Sequence, residues 1–164
     1  GASGANLTVS VFMEAKATLE NANVPGPYLC ILHPQQWADL VSDIATNASN
    51  GSVIFDPASP AAIATLGNGF KGDLFGVKVF TSTLVPTANA GADRAGGMFG
   101  RGAVMWCDAA PVIDSPESQI LLGGKILFER SREALYGLTN YVTSAYLGVS
   151  MGIDAAGCSI ISDA

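Results

Sequence analysis

Charge is what this sequence has least of. Asp, Glu, Lys and Arg together make up 13% of its 164 residues, where an ordinary soluble domain carries about 25%. Hydrophobic residues reach 49% before its 19 glycines are counted. Intrinsic disorder, which needs low hydrophobicity and high charge, is excluded. A lone monomer is also disfavoured, because a surface so short of charge is prone to associate. Basic residues are the smaller part of that small total: eight against fourteen acidic, a net charge of −6. They are scattered, so the basic stripe of a sequence-specific nucleic-acid reader is missing.

No apolar run comes near the roughly 18 residues of a membrane helix. The longest, Tyr28–Leu32 and Ala103–Cys107, are strand-sized. The first residues, Gly1 to Asn6, offer neither a basic region nor an apolar core, so a secretory leader is not expected there. Without an initiator Met, the chain reads as processed or as a piece of something longer. Three cysteines, Cys30, Cys107 and Cys158, lie far apart with no Cys-x-x-Cys. An odd, dispersed set gives neither a disulfide framework nor a zinc site. They read as small buried hydrophobes in a reducing compartment.

Enzyme chemistry needs converging polar groups. The one histidine, His33, sits between Leu32 and Pro34 where a strand gives way to a helix, which is a capping position. There is no Gly-x-Ser-x-Gly elbow, His-Glu-x-x-His pair or calcium loop. Gly67-Asn68-Gly69-Phe70-Lys71-Gly72 spells Gly-x-Gly-x-x-Gly, but it follows a predicted helix and precedes a predicted strand. A dinucleotide site needs the reverse order, so the pyrophosphate can lie on the helix N-terminus. The segment is read as a glycine turn. Three Asn-x-Ser/Thr triplets, at Asn6, Asn47 and Asn50, are of a kind that arises by chance. No catalytic residue, cofactor or metal ligand is expected.

The length suits one domain, able to bury roughly 70% of its unfolded surface without a staple. A helix is predicted over Asn6–Ala22, with Asn6 as N-cap, Leu7, Val11, Met13 and Leu19 as an imperfect stripe, and Pro25-Gly26-Pro27 as the stop. Tyr28–Leu32 is a buried strand. Pro34 opens a second helix, whose Trp37, Leu40, Val41 and Ile44 follow the i, i+3, i+4, i+7 pattern until Asn47–Ser52. Ser59–Leu66 makes a short helix. Phe75–Leu84, Ala103–Cys107, Lys125–Glu133 and Cys158–Ser162 are strands. Leu135–Ile153 fits either period, and its glycines, β-branched and aromatic residues favour strand. Thr87–Gly102, with five glycines, reads as a long loop. The class is α+β.

Four charges in five residues, Glu129, Arg130, Arg132 and Glu133, stand out in so neutral a chain. On a strand the two carboxylates share one face and the two guanidinia the other. They are candidates for intersubunit ion pairs that fix register; the alternative is a solvated edge whose charges block wrong pairing.

The order of these features resembles the C-terminal portion of a tailed-bacteriophage major capsid protein of the HK97-like fold. The likeness rests on helix Leu7–Ala22, on Pro27-Tyr28-Leu29-Cys30-Ile31-Leu32-His33-Pro34-Gln35-Gln36-Trp37, and on Gly72-Asp73-Leu74-Phe75-Gly76-Val77-Lys78-Val79-Phe80-Thr81-Ser82. It continues through the Gly/Ala stretch to Gly97-Met98-Phe99 and Ala103-Val104, then Glu129–Glu133, Tyr146–Val149 and the closing Ile161-Ser162-Asp163-Ala164. The resemblance implies a long spine helix and a mixed β-sheet peripheral domain from 1–32 and 111–164. It implies an α/β axial domain from 33–110. The family's N-terminal arm and extended loop are absent from this sequence. The implied role is a structural shell subunit, not an enzyme. Its partners would be copies of itself in hexamers and pentamers, other head proteins such as a portal or decoration protein, and packaged DNA held without sequence preference, with no membrane. The place would be the virion capsid, assembled in the host bacterial cytoplasm. Within the glycine-rich stretch, Ala88–Gly102 would be mobile enough to fit non-equivalent neighbours. An encapsulin-like compartment shares the fold and is one alternative; a small ligand-binding or enzyme domain is the other.

Overall fold

A computed structural model describes residues 5–46, 55–109, 118–121 and 126–163. The elements run α1 (Val9–Asn21), β1 (Tyr28–Leu32), α2 (Pro34–Thr46), β2 (Phe55–Pro57), α3 (Pro60–Leu66), β3 (Phe70–Leu74), β4 (Val77–Thr81) and β5 (Thr87–Ala88). They continue with β6 (Asp93–Phe99), β7 (Val104–Ala109), β8 (Ser118–Leu121), β9 (Ile126–Glu133), β10 (Leu138–Ser144), β11 (Tyr146–Met151) and β12 (Gly157–Asp163). The chain divides into two compact units: Gly1–Ala103 with Gly152–Ala164, and Val104–Met151.

The first unit is a mixed sheet in the order β12-β6-β1-β4-β3-β2, with β5 added beside β6. β1 runs parallel to β4 and antiparallel to β6. Alternation in β1 sends Tyr28, Cys30 and Leu32 to the buried face. Val79, Cys30, Met98 and Cys158 stand in one row across four strands. α1 lays Phe12, Ala15 and Leu19 into the same core, and α2 adds Leu40. Phe12, Leu19, Leu40, Val77 and Met98 are fully buried, and each such side chain contributes about 1.5–3 kcal/mol of apolar burial.

Local chemistry sets the helix limits. Thr8, not Asn6, caps α1, its hydroxyl accepting from Val11 N. Asp43 of α2 accepts the next free amide, Val9 N, at 2.8 Å, which ties the two helices. At the other end Asn23 takes φ 55°, and Asn23 N and Val24 N donate back to Glu20 O and Leu19 O. That is a Schellman stop, a position Asn tolerates, so the helix has ended before Pro25 is reached. The buried stripe of α1 is accordingly Phe12, Ala15 and Leu19, while Met13 lies at the exposed margin. Ser59 caps α3 through Ala62 N, with Pro60 at its first position.

Two expectations are corrected. The predicted strand over Phe75–Leu84 is found as the shorter β4, Val77–Thr81, and its first two residues, Phe75-Gly76, are the turn of a hairpin with β3, Leu74 standing opposite Val77. Both central residues have positive φ, 53° and 78°, the signature of a type I′ turn. Lys16 of α1 donates to Phe75 O at 3.0 Å and so braces the residue least suited to that turn. The expected loop Thr87–Gly102 holds β5 and β6, and β6 lies between β12 and β1. Two of its glycines allow close approach. A Cβ on Gly96 would stand 2.8 Å from Ile31 O, and one on Gly100 would meet Val24 Cγ1 at 2.4 Å. The expected α2 terminator Asn47–Ser52 and the first residue of Lys125–Glu133 lie outside the described residues. No helix among the described residues is long and apolar enough to cross a membrane.

Candidate assembly surface

The second unit is built from two small antiparallel sheets, β11-β7 and β10-β9-β8. In the first, Val104, Trp106 and Asp108 oppose Met151, Val149 and Leu147. Directly opposed residues point to the same side of a sheet. One side of this ribbon therefore presents five large apolar side chains, each between 58% and 70% exposed. The other side carries Met105, Cys107, Ala109, Tyr146, Gly148 and Ser150, and every residue of both strands is exposed. Contiguous apolar patches on free monomers stay near 300–600 Å², and larger ones mark interaction sites. The rule that one face of an antiparallel sheet is wet and the other buried is broken here on both faces.

The four charges picked out in the sequence lie on β9, in the same unit as that ribbon. β9 pairs with β10 from Glu133 opposite Leu138 to Leu127 opposite Ser144. Arg130 faces Tyr141 and Arg132 faces Thr139 on one side; Glu129 faces Val142 and Glu133 faces Leu138 on the other. The expected segregation by face holds. Phe128 and Tyr141 stack at 5.6 Å between ring centroids on the arginine side. Glu129 is half-buried, and Arg130, Arg132 and Glu133 are exposed.

His33 does what its position promised. Its carbonyl accepts from Trp37 N, and its Nδ1 accepts from Gln35 N at 3.3 Å. Partial burial, with Arg94 as the lesser cause, holds the imidazole below its ordinary value, which suits a ring nitrogen that must stay an acceptor. The polar residue sequence reasoning passed over is Gln36. It is fully buried; its Oε1 accepts from His33 N at 3.0 Å, while its Nε2 faces Ser162 Oγ at 2.8 Å, Arg94 O at 3.0 Å and Ile160 O at 3.4 Å. One amide thus joins α2 to β6 and β12. The available signal was its place on the buried stripe, four residues before Leu40. Cys30 is buried as expected, and burial, with Cys158 as the lesser cause, pushes its thiol up to about 12. Cys158 is half-buried. Cys107 departs from the expectation: it is exposed on the β7–β11 ribbon.

The Gly67–Gly72 segment runs from helix through turn to strand. Gly67, at φ 92°, ends α3 with its N–H on Ile63 O. Beside it lies a shallow depression of about 190 Å³ lined by Ser59, Leu66, Phe70, Asp73 and Lys78, among others. Its one ion pair, Asp73 with Lys78 at 3.5 Å, is already made within the β3–β4 hairpin. Among the described residues, no three His, Cys, Asp or Glu side chains gather in a way that could hold a metal.

No family model and no curated protein matches the chain. Among solved structures it is similar to the holo-SrpI encapsulin complex from Synechococcus elongatus PCC 7942, with TM-score 0.63 and 18% identity over 98% of this chain and 50% of that one. It is also similar to the capsid of the cyanophage P-SCSP1u, with TM-score 0.57 and 15% identity over 93% of this chain and 45% of that one. The chain therefore has the HK97-like capsid-protein fold that its sequence resembles. It spans about half the length of the solved chains it matches.

Proposed function

We propose that the chain is a shell-forming subunit, whose work is to make many copies of shape-complementary contacts that close a container. The observation that carries this reading is the β7–β11 ribbon, exposed and apolar on a fold shared with capsid and encapsulin chains. Obligate interfaces are apolar and depleted of charge at their centre, and Val104, Trp106, Leu147, Val149 and Met151 have that composition. The proposed role is mechanical rather than catalytic. The partners are further copies of the chain in hexamers and pentamers, with portal and decoration proteins as the head's other components.

Of the two containers with this fold, we propose the head of a tailed phage around double-stranded DNA, which the order of sequence features favours, and hence a location in the virion. A net charge of −6 suits loose contact with packaged DNA rather than tight binding. The encapsulin compartment is the second reading, supported by the higher TM-score of that match. Electron microscopy of the purified protein tests the shell: closed particles are expected, and a stable 17 kDa monomer at high concentration overturns it. The ratio of absorbance at 260 and 280 nm in particles from the native source separates the containers, high for packaged DNA and low for a protein cargo.

A further inference from the structure

The β9–β10 hairpin is exposed at every residue from Arg130 to Thr143, on both faces, and its tip carries Leu135 and Tyr136 at 85% and 68% exposure. Among the described residues β8 reaches β9 only as far as Glu129, and a sheet this small with neither face packed is marginally stable in water, so a hairpin exposed on both sides implies something that covers it. The distribution of charge identifies the cover. One face presents Arg130 and Arg132 beside Tyr141; the other presents Glu129 and Glu133 beside Val142 and Leu138. No ion pair among the described residues joins Arg130, Arg132 or Glu133. The hairpin is thus complementary to itself, but only when opposite faces meet. A contact using the same face on both copies would set arginine against arginine, or glutamate against glutamate, and like charges across an interface suppress association. A contact using opposite faces brings the guanidinium forks to the face that bears the exposed Glu133 carboxylate, a pairing Arg favours.

These two arrangements have different consequences. A same-face contact is isologous and ends at a dimer; an opposite-face contact is heterologous and propagates, closing into a ring where the rotation between copies brings the last copy back to the first. We infer that the β9–β10 hairpin joins copies of this chain head to tail, the Arg130/Arg132 face of one copy seated on the Glu129/Glu133 face of the next. This rests on the shell reading above and names the surface within it that gives direction to the ring.

The test uses charge reversal in the full chain. Arg130→Glu with Arg132→Glu makes both faces acidic; Glu129→Arg with Glu133→Arg makes both basic. Each variant alone is expected to need at least about tenfold more protein to assemble than the unaltered chain. Mixed in equal amounts, the two are expected to co-assemble, alternating, into rings with an even number of copies, because an odd ring forces one like-charged contact. The fourfold variant, with all signs exchanged, is expected to assemble alone. Circular dichroism checks folding, and Glu133→Arg by itself, expected to give an intermediate loss, serves if the double reversal at 129 and 133 does not fold. Shells that form from either double variant at the unaltered concentration, or a mixture of folded variants that stays unassembled, overturn the hairpin inference alone. An unaltered chain that forms no oligomer overturns the shell reading as well.

Discussion

Replacing Gln36 by Leu keeps roughly the same volume and removes every hydrogen bond that the amide makes. The effect can be worked out from its partners. His33 N loses its acceptor at 3.0 Å and Ser162 Oγ loses a donor at 2.8 Å, both at a buried site. Arg94 O and Ile160 O lose one donor each, which matters less because a carbonyl has a second lone pair. An unsatisfied buried group costs about 1–3 kcal/mol and a lost net hydrogen bond about 1 kcal/mol, so the loss is about 4–5 kcal/mol. A buried Leu offsets about 1–2 kcal/mol of this through its apolar surface. The polar loss wins, and the net destabilisation is about 3 kcal/mol. In urea that moves the midpoint down by about 1–3 M for a domain this size. The chain has two tryptophans, Trp37 in the first unit and Trp106 in the second, so a Trp106→Phe background lets Trp37 fluorescence report the first unit. Gln36→Glu sharpens the test. It places a buried carboxyl oxygen against two carbonyl oxygens, Arg94 O and Ile160 O, and burial with these acceptors raises the carboxyl's folded pKa above the ordinary value near 4.3. The folded state then holds its proton longer, so the variant's deficit is small below about pH 4 and deepens as pH rises, by up to about 1.4 kcal/mol per unit. A Leu variant with the unaltered midpoint, or a Glu variant whose deficit is the same at pH 4 and pH 8, would refute the claim that this amide holds α2 to β6 and β12.

Gly96→Ala forces a methyl group to within 2.8 Å of a backbone oxygen, so unfolding should come about 2–3 kcal/mol sooner in urea; an unchanged midpoint would mean that β1 and β6 can separate freely. Trp106→Lys with Val149→Lys should leave the Trp37-reported transition in place and raise the protein concentration needed for assembly at least about tenfold, read by light scattering. Cys107 should react with a maleimide within minutes in the unassembled chain while Cys30 stays unlabelled until urea unfolds it; simultaneous labelling would contradict the burial. Because the folded Cys30 thiol sits at about 12 against an ordinary 9.0, unfolding releases a proton above pH 9, and stability should fall between pH 9 and 12. Cys30→Ala should flatten that part of the profile.

The elements that were legible in the sequence are those whose own residues decide them. Tyr28–Leu32 alternates and is bounded by Pro27 and Pro34, and the structure reproduces its limits. Pro34 and Pro60 mark helix starts because proline needs no amide partner there. The segregation of Glu129 and Glu133 from Arg130 and Arg132 follows from the period of a strand alone. What failed depended on distant partners. Gly96 looks like a loop residue until Ile31 and Gln36 are known to lie against it. Phe70–Leu74 was hidden by the glycines around it, and its identity as a strand comes from Val77–Thr81 across the turn. Gln36 carried no signal in composition, since its role is defined by the main chain of β6 and β12. The exposure of Cys107 was equally illegible, because an apolar strand that faces outward has the same residues as one that faces in.

The chain leaves the first unit at Ala103 and re-enters it at Gly152, and these two residues are bonded, Gly152 N to Ala103 O at 2.9 Å, with Ile153 N to Gly102 O at 2.8 Å beside them. The Val104–Met151 segment is therefore a graft on a closed stem. During synthesis β6 must wait, one edge open, until the whole graft has been made and β12 arrives to complete the sheet. The same stem makes the graft exchangeable: a short turn in its place would leave the ends where they already are, and a foreign hairpin could be carried between them.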